Sequence, residues 1–102
     1  MTIIYAREKF YLAVEHAATS TDSLQQRLCD AFSRNIDNVQ REGLTQDLWV
    51  RVMALKRELN KKPAKGNEGT IMATTAEMTD EEATSALVEI VSIFGEICKL
   101  IK

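Results

Sequence analysis

The chain has 102 residues, 45% hydrophobic and 27% charged, and a formal net charge of −2. That is one small folded domain, too apolar for disorder, and its single proline and four glycines argue against a turn-rich β fold. No apolar run approaches the ~20 residues of a membrane span, and a mildly acidic balance argues against nucleic acid as the main ligand.

Placing residues at 100° intervals predicts a first helix from about Thr2 to Ala18. Ile3, Ala6, Phe10, Ala13, Val14 and Ala17 share one arc, while Tyr5 and Leu12 point the opposite way. A helix apolar on two sides is either central or shared between subunits, and this pattern predicts the second. The run TSTDS, Thr19 to Ser23, stops and restarts the helix, with Ser20 or Thr21 as N-cap. Helix two is expected to reach about Arg41, burying Leu24, Leu28, Ala31, Phe32, Ile36 and Val39, with Asn35 at the edge of that face as a possible register-setting amide. Gly43 follows as its C′ residue. Helix three, Thr45 to about Asn60, carries a seam of Leu48, Val52, Leu55 and Leu59 flanked by Trp49 and Met53. Helices two and three are expected to fold back as an antiparallel hairpin.

The stretch KKPAKGNEGTIMATTAEMTDEE, Lys61 to Glu82, divides in two. Lys61 to Gly69 is a polar, basic connector broken by Pro63, Gly66 and Gly69 and expected to be mobile. Thr70 then caps a short helical turn, and TDEE, Thr79 to Glu82, is a capping box that starts the last helix. That helix, Asp80 to about Ile101, places Ala83, Leu87, Ile90, Val91, Phe94, Ile97, Cys98 and Ile101 on its core arc. Ala86, Ile93 and Leu100 widen the apolar surface to about half the circumference, more than one wet face leaves room for. The predicted fold is therefore all-α, a small helical bundle of one domain over residues 1–102. It comprises an N-terminal helix, the helical hairpin, a short helical turn and a long C-terminal helix.

Charge is segregated along the chain. Residues 1–50 hold five basic and seven acidic side chains, residues 51–66 six and one, and residues 67–102 two and seven. The basic run Lys56, Arg57, Lys61, Lys62 and Lys65 is the candidate nucleic-acid contact, although lysines there also suit a helix C-terminus. Helix three opens with Gln46 and Asp47, unlike a recognition helix.

Catalytic chemistry finds little support. GNEGT, Gly66 to Thr70, lacks the preceding strand and the lysine of a phosphate loop. His16, the sole histidine, has Leu12, Ala13 and Thr19 as helical neighbours, none a charged orienter. Cys29 and Cys98 lie 69 positions apart with no local ligand pair, which suits buried, inert thiols in a reducing cytoplasm rather than a metal site or disulfide framework. The N-terminus MTIIYAREKFYL lacks the n-region and cleavage site of a signal peptide. The expectation is a non-enzymatic protein–protein interaction module without metal or cofactor, acting as a homodimer and binding another protein. Tyr5, Leu12, His16, Trp49, Ile93 and Leu100 are the expected partner or dimer surface, and the acidic C-terminal third is a further docking surface. A nucleic-acid-associated regulator using residues 56–65 is the alternative.

The pattern NEGTIMATTAEMTDEEA, with LQQRLCDAFSRNIDNV on helix two, resembles a group of small helical bacterial proteins to which no activity is attached. Its specific part is E-G-[ST]-I…M-[ST]-D-E-E-A, Glu68 to Ala83. The resemblance implies a bacterial source and a structural role for this block, and no site residues.

Overall fold

Four hydroxyl side chains decide where helices begin. The computed structural model describes residues 2–64, 66 and 69–101. In it the Thr2 hydroxyl accepts from Tyr5 N at 3.4 Å, Ser23 from Gln26 N at 3.1 Å, Thr45 from Leu48 N at 3.3 Å and Thr79 from Glu82 N at 3.1 Å. Each satisfies an amide that the first helical turn leaves without a partner. Helix α1 spans Ile3–Thr19, α2 Leu24–Arg34, α3 Gln46–Leu59, α4 Gly69–Ala76 and α5 Asp80–Leu100, with a 3₁₀ turn at Ile36–Asn38 and no strand among the described residues. The chain is an all-α bundle. Lys65 and Glu68, named above in the basic run and the block, lie outside the described residues.

Three local expectations are corrected. The cap of α2 is Ser23, because Ser20 instead closes a bend on Asp22, its Oγ accepting from Asp22 N at 3.1 Å. Helix two stops at Arg34 rather than Arg41. Asn35 leaves the helical region at φ −127° and ψ −62°, and its Nδ2 donates to Ala31 O at 3.1 Å, capping a carbonyl the helix leaves open. The break turns Ile36 and Val39 fully into the core. Thr70 is not a cap: it lies inside α4, and its hydroxyl donates to Asn60 Oδ1 at 2.6 Å.

The core is built around α5, on which α1, α2 and α3 all pack, while α4 closes against α2 and α3. The helices expected to form a hairpin are joined through the irregular stretch Asn35–Thr45 and meet mainly through these neighbours. Lys56 of α3 bridges that stretch, its Nζ donating to Asp37 O at 3.1 Å and Val39 O at 2.8 Å. Two polar clamps hold α5. Arg51 donates to Glu89 in a fork at 3.0 and 2.7 Å and to Ser92 at 2.8 Å, and Gln25 of α2 reaches Met78 O at 3.0 Å and Asp80 Oδ1 at 2.9 Å. The buried Thr74 hydroxyl is fully used, donating to Thr70 O at 2.7 Å and accepting from Lys62 N at 3.0 Å. That second bond ties the beginning of the basic connector to α4.

The capping box appears as expected, with Glu82 Oε1 accepting from Thr79 N at 2.9 Å. Those bonds hold the Glu82 carboxyl below the ordinary range. A depressed folded-state value stabilises above the unfolded value of about 4.5, and that contribution is lost as pH falls through the folded one. Thr79→Ala is expected to cost about 1 kcal/mol, read as a lower urea midpoint with an unchanged slope.

Candidate interaction surfaces

The core-facing stripe of α5 is Ala83, Ala86, Ile90, Ile93 and Ile97, a 3-4-3-4 spacing that keeps one line of side chains turned inward. Leu87, Phe94 and Ile101 sit beside it, half-buried. Ile93 is fully buried and is therefore core, not a partner surface. Val91 and Cys98, assigned above to the core arc, face out instead. The apolar arc was wide enough to be centred in either of two ways, and packing against α3 through Arg51 and Glu89 selects the centre nearer Ile93.

On α1 the core arc is the expected one. Ala6, Phe10 and Ala13 are buried, while the most exposed large apolar side chains are Ile4 and Tyr11 rather than Tyr5 and Leu12. Tyr5, Leu12 and His16 are half-buried. His16 Nε2 lies 3.6 Å from Asp30 Oδ2, which turns this side of α1 toward α2. Sequence neighbours offered His16 no charged partner; the partner comes from another helix and leaves no local signal. Asp30 is also held by Gln26 Nε2 at 3.0 Å and lies 3.9 Å from Arg34, and no hydrogen bond reaches the buried His16 Nε2. The adjacent Cys29 thiol is pushed up by burial, which weakens it as a nucleophile.

The outer faces of α1 and α5 each carry exposed apolar side chains. Ile4 is 49% exposed, Tyr11 50%, Val88 61% and Val91 53%. The Tyr11 and Phe94 rings lie 6.3 Å apart at 48°, on the floor of a cavity of about 340 Å³ rimmed by Ile4, Arg7 and Glu8. The Tyr11 hydroxyl donates to Glu15 at 3.2 Å, and that carboxylate raises its pKa. Elsewhere Leu100 is exposed beside Arg51 and Glu96, and Trp49 is half-buried with Lys56 Nζ 5.5 Å from its ring. Of the six residues expected at the partner surface, Tyr5, Leu12 and His16 share one side of α1, Trp49 and Leu100 lie on α3 and α5, and Ile93 is core; Ile4, Val88 and Val91 were not among them. A period-3.5 count along α5 beyond its core stripe would have flagged the valines.

In the basic run, Lys56 donates to backbone carbonyls and the exposed Lys61 pairs with Glu58, while Arg57 and Lys62 are exposed as well. No group of three or more His, Cys, Asp or Glu among the described residues is placed to hold a metal ion, and no described helix is long and apolar enough to cross a membrane.

Cys98 is exposed, a correction to the buried thiol expected there, whereas Cys29 is buried. In dilute native protein one thiol should react promptly with an aromatic disulfide reagent and the second only on unfolding. Equal rates for both would contradict the burial of Cys29. No family model, curated protein or solved structure matches this chain.

Proposed function

We propose that this chain is a non-enzymatic protein–protein interaction module, a small regulatory, accessory or inhibitor protein that works in the cytoplasm as a homodimer. One observation carries the reading. Ile4, Tyr11, Val88 and Val91 stay exposed on adjoining outer faces of α1 and α5, although the core has ample apolar side chains of its own. Large apolar side chains left exposed on a small domain cost solubility, and shared burial is the ordinary reason they persist. Both cysteines are free, which agrees with a reducing compartment.

Light scattering over a hundredfold concentration range tests the dimer: the mass of two chains is expected at the upper end, and the mass of one chain throughout overturns it. Titration with mixed duplex and single-stranded nucleic acid at low salt separates the alternative class. No binding is expected; salt-sensitive binding abolished by neutralising Arg57 and Lys62 would favour a nucleic-acid-associated regulator instead.

A further inference from the structure

Helix α5 carries a second apolar line besides the one facing the core. Thr84, Val88, Val91, Gly95 and Cys98 follow one another at spacings of 4, 3, 4 and 3, and all five are exposed. That is the period of a helix–helix seam, and it covers about 21 Å of helix. No charge interrupts it. The acids Asp80, Glu81 and Glu82 stand before its start, Lys99 just after its end, and Glu89 is turned aside to Arg51.

We propose that two copies of the chain pair through this strip, with their α5 helices antiparallel and Val91 on the twofold axis. The inference rests on the self-association proposed above and specifies its geometry. Charge selects the orientation. Antiparallel pairing sets the exposed Asp80–Glu82 end of each α5 against the last turn of the other, where Lys99 offsets Glu96 at 3.2 Å, and opposes the two helix dipoles, whereas parallel pairing stacks three acids on three acids. Shape selects the register. About Val91, Val88 falls opposite Gly95 and Thr84 opposite Cys98 of the second copy. Gly95 carries no side chain and a Cβ placed there would meet nothing within 4 Å, so the position is open where the valine of the other copy arrives. Phe94, one turn after Val91, faces the Tyr11 ring of α1 in a cavity that also takes in Ile4, Arg7 and Glu8.

Mild oxidation of T84C reads the geometry directly. The introduced thiol then meets the native Cys98 of the other copy, and a covalent dimer with two bridges is expected. Wild type should not cross-link, because its two Cys98 residues lie about 21 Å apart along the paired helices, far beyond the ~7 Å between Cα atoms that a disulfide spans. Val91→Glu should weaken pairing at least about 100-fold while leaving helicity and cooperative melting intact, since position 91 is exposed in the single chain. If wild type cross-links through Cys98, or if T84C stays uncross-linked while light scattering gives two chains, this geometry is overturned and self-association alone stands. A single-chain mass at every concentration overturns both.

Discussion

Phe32→Ala is expected to lower stability by about 3–5 kcal/mol, a large part of the ~5–15 kcal/mol that holds a domain of this kind. The ring is fully buried on α2, a helix that packs against α1, α4 and α5, so its loss opens a cavity in the core. Relaxation into that cavity is limited because the α4–α5 corner is pinned to α2 by Gln25 through Met78 and Asp80. Urea unfolding at one fixed protein concentration measures the change, concentration being held because pairing would add its own stability. Val50→Ala is the comparison: the side chain is exposed on α3, and a change within about 0.5 kcal/mol is expected. Comparable losses at both positions would mean that the core does not close around Phe32.

Gly43→Ala is expected to cost about 2–5 kcal/mol, more than any other glycine replacement among the described glycines. Two costs combine. Gly43 has φ +86°, in the left-handed region that side chains disfavour. Its missing Cβ would stand 2.3 Å from Ile3 N and 2.6 Å from Thr2 C, and a backbone cannot swing away as a side-chain tip can. The loop of residues 41–44 thus lies directly across the start of α1, and a side chain at 43 would lift it or unwind the Thr2 cap. Gly95→Ala provides the contrast. That position is helical and open, so alanine should stabilise the single chain by roughly 0.5–1 kcal/mol through backbone entropy. A thermal melt of both variants at low concentration separates them. Equal behaviour would show that the Gly43 contact with α1 is not formed.

Much of the fold was legible because helical signals are local. The start of helix three at Thr45 was legible from its neighbours, the seam of Leu48, Val52, Leu55 and Leu59 from its spacing, and the Thr79 cap from the reciprocal bonds that TDEE can make. Gly43 was recognised as a special backbone position but given the wrong task. It ends no long helix; it accommodates a close approach to residues 2 and 3, some forty positions away. Asn35 was read as an amide on the rim of a continuous helix, setting register; it instead ends α2, and its side chain closes on Ala31 O.

The amino-acid order by itself determined that this is an all-α chain with one short domain's worth of core, and it placed most helix starts within a few residues. Those properties depend on contacts three and four residues apart. The seam of α3 showed its facing in advance, but which way α5 faces was decided only by the tertiary structure. On α5 the apolar residues cover half the circumference, so periodicity left the centre of the buried arc undetermined. Packing of α1, α2 and α3 against it buried Ile93 and exposed Val88, Val91 and Cys98. The candidate surface exists because of that rotation. A spacing rule counts residues along one helix, whereas burial depends on the neighbours that helix acquires.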